Sequence, residues 1–284
     1  MLSSDSTSVS ASHRAPLERL SLLVSLVVVG LAISRVLDLP PRVFEFSVLG
    51  SRATIVLSGA WLFTLVLAVL TATGAESIHR SHPRVHLSNT RYTAILWVLP
   101  CLLVGLATLI LPIFSGFFPY GLVFILITAG LLTLIILAEY HTIDASDTLY
   151  AISRLGLNLA GYALALILFW SVYNVKARSL LSAPIIGILS ALVALELLRG
   201  NEAGVRRTWL YSIVIGFIMS QVLWVMNYWD VNGLIAGLVM TALFYVIVSA
   251  AQQHLWGHLS WWMLVEFAIV IAVVGLLVFR FVPL

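Results

Sequence analysis

Charge is what this sequence has least of. Asp, Glu, Lys and Arg together make up 10% of its 284 residues, against about 25% in an ordinary soluble domain. Hydrophobic residues make up 61%. So much apolar surface has no charged coat to cover it, which excludes a soluble globular fold. The 15 basic and 12 acidic residues leave a net charge of +3, too weak and too scattered for a nucleic-acid footprint. Cysteine occurs once, at Cys101 inside an apolar segment. That excludes an intramolecular disulfide and a cysteine-based zinc site. Lysine also occurs once, at Lys176 between two apolar segments, so a retinal Schiff base has no intramembrane lysine to form on. There is no Walker A loop, no Gly-x-Ser-x-Gly elbow and no His-Glu-x-x-His pair, and each absence removes a class of mechanism. No cofactor is implied.

What is there is hydrocarbon-compatible sequence. From Tyr92 to Ala138 the chain carries no Asp, Glu, Lys or Arg. A membrane-spanning helix needs about 20 apolar residues, so this stretch fits two spans, with Pro112 and Pro119 flanking the turn between them. Read the same way, the whole chain predicts an all-α, polytopic membrane helix bundle of about nine transmembrane helices. The spans fall at residues 20–37, 53–73, 93–113, 119–138, 150–173, 180–198, 208–226, 231–251 and 260–282. Trp97, Trp209, Trp229, Trp256, Trp261 and Trp262 stand near span ends, where interfacial anchoring places tryptophan. The Ser/Thr-rich residues 1–19 read as a disordered tail. The apolar run after Arg19 reads as a retained anchor helix (residues 20–38), because no small-x-small cleavage site follows it before Arg35.

Between the first two spans, Phe44, Phe46 and Val48 alternate with polar residues. Period two suggests a short strand; a linker resting its aromatics among lipid headgroups is the preferred reading. Basic residues in short loops set orientation. Arg14, Arg19, Arg80, Arg84, Arg91, Arg154, Arg199, Arg206 and Arg207 on one side outnumber Arg35, Arg42, Arg52, Lys176, Arg178 and Arg280 on the other. This predicts a cytoplasmic N-terminus and an outer C-terminus.

An internal repeat is visible. Arg91-Tyr92-Thr93 and Arg206-Arg207-Thr208 open two similar pairs of spans. Gly121 opens the span where Gly233 opens its counterpart. Ala138-Glu139-Tyr140-His141 closes the first pair and Ala251-Gln252-Gln253-His254 the second. The implied architecture is one anchor plus two four-helix units, residues 39–173 and 174–284, related as a parallel repeat.

Polar residues inside spans are costly and tend to face a bundle interior. Tyr150, Arg154, Asn158 and Tyr162 are spaced four apart and share one helical face. Glu266 is the acidic residue of the last span, and the repeat offset sets it opposite Ser153, beside Arg154. An Arg154–Glu266 pair joining the units follows as an expectation. Arg154, Asn158, Tyr162, Glu266 and Gln221 are therefore the candidate binding or transport residues, against the plainer reading of helix-to-helix glue. Asn227, Asp230 and Asn232 read as a solvated turn.

All seven histidines fall on the predicted inner side. His79, His82, His141 and His254 are the weak metal candidates, since imidazole ligates zinc or iron. Pro83 breaks any helix that would align His82 with His86, the surrounding arginines repel a cation, and the His-His pairs of membrane di-iron enzymes are missing. Solvated loop residues are the preferred reading, and no metal or catalytic residue is assigned.

The stretch from Leu39-Pro40-Pro41-Arg42-Val43-Phe44 through Leu49-Gly50-Ser51, followed by repeated spans, resembles uncharacterised bacterial multi-pass membrane proteins grouped under a domain of unknown function. The resemblance implies a bacterial inner-membrane location and supplies no activity. Three functions compete: a structural or accessory subunit of a membrane complex, a small-solute or proton transporter using Arg154 and Glu266, and a lipid-modifying enzyme with an inner-face histidine site. The expected partners are the lipid bilayer and other membrane proteins or copies of itself.

Overall fold

The computed structural model describes residues 5–37, 40–48, 51–57, 59–82, 84–85, 95–114, 118–176, 179–199, 205–229 and 231–256, with 265, 267–270, 272 and 275–276 near the end. Their order is α1 (Asp5–Val36), β1 (Arg42–Val48), β2 (Ser51–Leu57), α2 (Gly59–His79), α3 (Val98–Ile110), α4 (Phe118–His141), α5 (Tyr150–Asn174), α6 (Ser179–Leu197), α7 (Val205–Met226) and α8 (Gly233–Trp256). The structure is an all-α helical bundle. Among the described residues, α1 from Leu17, α2, α4, α5, α6, α7 and α8 are long and apolar enough to cross a membrane.

Two expectations need correction. The segment after the first span is not a headgroup linker but the first strand of a hairpin. β1 and β2 pair antiparallel, from Arg42 opposite Leu57 to Val48 opposite Ser51. The β-branched run Thr54-Ile55-Val56 suits that pleat. The second helix therefore starts at Gly59 rather than near residue 53 and runs on to His79. The third apolar segment is also shorter than a full span. α3 has 13 residues and passes into a 3-10 turn, Leu111–Phe114, where Pro112 has no N–H to continue the α ladder. The last span, residues 260–282, lies mostly outside the described residues, as do His86 and Glu266.

The chain divides into two compact units, residues 1–156 and 157–284, the boundary falling within α5. In the first unit, α1 buries Leu20, Leu23, Val27 and Leu31 at helical spacing. Its partner is α2, and the fit is reciprocal: Leu67 of α2 fills the space over Gly30, and Leu23 of α1 the space over Gly74. α3 lies against α2 and α4, with residues 103–108 buried. Arg35, at the end of α1, donates to the Phe114 carbonyl at 3.0 Å and lies over Gly121 at the start of α4.

In the second unit, α6 and α7 cross at small residues. Ala183, Gly187 and Ala191 recur every four positions on α6, and Ser212, Gly216 and Ser220 on α7. A Cβ on Gly187 would stand 3.2 Å from the Gly216 carbonyl oxygen, and one on Gly216 would strike the Gly187 carbonyl oxygen. Close backbone approach through small residues is how helices gain contact when lipid removes the hydrophobic drive. Tyr173, 2% exposed, donates its hydroxyl to the Trp229 carbonyl at 2.8 Å, satisfying the turn after α7. Asn227 donates to the Ser179 hydroxyl at 2.9 Å, so it ties α7 to α6 and is not a freely solvated turn residue; Asn232 is exposed and Asp230 lies outside the described residues. Outward faces are as apolar as inward ones: Leu210, Ile213, Phe217 and Val225 of α7 are all exposed, as hydrocarbon solvation requires.

Candidate functional site

The most unusual chemistry in the described residues is a buried ionisable pair. His79 closes α2, and Glu139 stands in the last turn of α4. His79 Nε2 and Glu139 Oε2 are 3.4 Å apart, and both side chains are 0% exposed. The contact is electrostatic rather than a short hydrogen bond. One of these residues was expected to be solvated, and the other was seen only as a landmark of the repeat. Burial of a carboxylate costs several kcal/mol unless it is partnered, so the pairing explains how both tolerate the interior.

Around the pair, toward the ends of α2 and α4, lies a polar cluster of the same unit. Glu76 Oε1 accepts from Arg80 Nε at 2.7 Å. His82 is 9% exposed, meets the Tyr140 ring edge-on at 4.7 Å and accepts from the Arg84 backbone N–H at 3.2 Å. Arg84 pairs with Asp144 at 2.7 Å and donates to Ser146 Oγ at 2.9 Å. His141 Nδ1 lies 2.7 Å from Asp147. The turn after α4 shifts its acids for local reasons. The Ser146 hydroxyl and backbone N–H, helped by Arg84, hold Asp144 below the ordinary carboxylate range. The Leu149 backbone N–H and the His141 ring do the same for Asp147. Burial pushes His82 below its usual 6.5, against the pull of Asp144.

The expected stripe on α5 is in place at helical spacing. Arg154, Asn158 and Tyr162 are each partly buried. The Asn158 Oδ1 atom is buried without a hydrogen-bond partner, and Tyr162 meets the rings of Tyr245 at 5.3 Å and Phe244 at 6.1 Å. Glu266 lies outside the described residues. Gln221 is exposed on α7, whereas its neighbour Ser220 sits at the α6 crossing. His79, His82 and His141 belong to the first unit; His254, on α8 of the second, is exposed and lies 5.9 Å from the Tyr211 ring. Among the described residues no group of three or more His, Cys, Asp or Glu side chains could hold a metal ion.

The second unit carries a buried acid of its own. α6 ends on Glu196, with Arg199 just beyond, 2.9 Å from Glu196 Oε1. Gln252 of α8 donates to the Leu197 carbonyl at 3.0 Å. Glu139 and Glu196 were the residues missed from sequence. The available signal was that each is an acid at the end of an apolar run, a position where a charge persists only with a partner.

A bundle of long apolar helices with outward apolar faces and a few enclosed ionised groups defines an integral, multi-pass membrane protein. Over residues 39–281 the chain matches the family described as "Protein of unknown function (DUF5656)", and it belongs to that family. No curated protein and no solved structure matches it.

Proposed function

We propose that this chain is a non-enzymatic structural or accessory subunit of a membrane complex, seated in a bacterial inner membrane with its N-terminus cytoplasmic and its C-terminus outside. The observation that carries this reading is how intramembrane polar groups are used. Thr71, Thr108, Thr128 and Ser212 donate to carbonyls one turn back on their own helices. Tyr173, Asn227 and Gln252 join one helix end to another. The first four bonds are satisfied within their own helices, and the last three tie helices together, the glue role polar side chains take in bilayers. The parallel repeat of two four-helix units is part of the same proposal. It is supported by the near-constant offset between Gly121 and Gly233 and between His141 and His254. Purification in a mild detergent after in-cell cross-linking tests the reading. It expects a partner protein, or further copies of the chain, at fixed stoichiometry. A solitary monomer that moves a solute into liposomes would overturn it.

A second reading, transport of a proton or small solute past Arg154 and Glu266, is favoured by one observation. The Asn158 Oδ1 atom is buried without a hydrogen-bond partner, one turn from Arg154. Such an acceptor suits a polar solute or water more than a finished helix contact.

A further inference from the structure

We propose that His79 and Glu139 form a proton-binding site within the first unit, an inference whose comparison with the second unit rests on the repeat proposed above. The geometry sets the chemistry. An imidazole and a carboxylate, both 0% exposed, stand 3.4 Å apart. With one proton between them the pair is net neutral, whether the proton rests on His79 Nε2 or on Glu139 Oε2. With none the pair is net negative, and with two it is net positive. Burial opposes both charged states. Moving the proton from oxygen to nitrogen changes no net charge, so the step needs no counter-ion in a low-dielectric setting.

The second unit supplies the comparison from within the same chain. At the offset of the proposed repeat, Gln252 corresponds to Glu139. Gln252, a neutral amide, joins α8 to α6 through its 3.0 Å bond to the Leu197 carbonyl.

Other titratable and charged groups stand on the elements packed around the pair. On α2 itself are Glu76 and Arg80, held to each other at 2.7 Å. On α1, Arg19 donates to the Ser77 carbonyl at 3.0 Å. α3 presents the Cys101 thiol, which donates to the Ala68 carbonyl. α4 adds Tyr140 and His141. His82 rests on the Tyr140 ring, and beyond it Arg84, Asp144 and Asp147 reach the surface.

The test is infrared difference spectroscopy of the full chain in lipid nanodiscs, titrated between about pH 5 and 9, the range open to imidazole. The expected result is a protonated-carboxyl band that titrates as a single event and disappears in Glu139→Gln, with the melting temperature kept, glutamine being the neutral isostere of glutamate. His79→Gln should move the midpoint by about one pH unit, a tenfold change in proton affinity. If Glu139→Gln does not fold, Glu139→Asp takes its place: the band should remain with a shifted midpoint, and an unshifted midpoint refutes the site. A band that persists unchanged in Glu139→Gln, or a parent protein with no carboxyl titration in that range, overturns the proposal.

Discussion

In hydrocarbon, one ionised side chain without a partner is enough to decide whether a helix stays put. Arg154 keeps its charge at any accessible pH, so it depends on what faces it. If Glu266 is that group, Glu266→Ala destabilises more than the Arg154→Ala/Glu266→Ala double change, because the single change strands a charge, a loss of about 3–5 kcal/mol for a buried pair. A double-mutant cycle read by thermal unfolding decides it, and additive losses remove the pair. At the water-facing end, titration has a definite sign. Asp144 and Asp147 have folded pKa values below the ordinary range. Their stabilisation of the turn is complete above the unfolded value of about 4 and lost as pH falls through the folded value. His82 is also shifted down, by burial, so its preference for the folded loop is full above pH 6.5 and weakens as pH falls below that. Amide exchange over residues 142–149, corrected for intrinsic rates, should therefore quicken in acid. Exchange that is constant from neutral pH down to about 3 would contradict these local contacts. The α5 stripe was legible in the sequence because its spacing of four is a property of one helix. The His79–Glu139 contact was not, because it joins two helices distant in sequence and periodicity within either one says nothing of the other.

At the scale of elements, contact between helices is set by where side chains are absent. Gly216→Ala places a methyl against the Gly187 carbonyl of α6 and should cost about 1–3 kcal/mol through forced separation of the helices. Gly130→Ala, on a helix face with nothing within 4 Å, should leave the unfolding temperature unchanged or raise it, alanine being about 1 kcal/mol the better helix former. Equal losses in the two variants would show that glycine flexibility, not the crossing, matters. Tyr173→Phe removes the bond to the Trp229 carbonyl and should cost about 1 kcal/mol. Hydropathy located most of these helices well: the sequence put one at 150–173 and the helix is Tyr150–Asn174. It failed at residues 53–57, where a short apolar, β-branched run reads equally as strand or helix and only its pairing with β1 decides. It also overestimated α3, because an uncharged stretch shows how much chain hydrocarbon tolerates, not where proline and 3-10 geometry end the helix.

For the whole molecule, α1, α2 and α4–α8 are spanning-length helices, and the outward surface they present is as apolar as the bundle interior. Composition alone forced that conclusion. The order of crossings did not follow so directly, because α3 is short. At 13 residues and about 1.5 Å per residue, it covers only about two-thirds of a 30 Å hydrocarbon core before its 3-10 turn. The repeat depends on α3 counting as a crossing, since only then do four crossings separate the end of α2 from the end of α6. Placing a reporter after His82 and another after Asn201 measures this directly. The account predicts that both are found on the cytoplasmic face; reporters on opposite faces, or recovery of the protein in the soluble fraction, would contradict it.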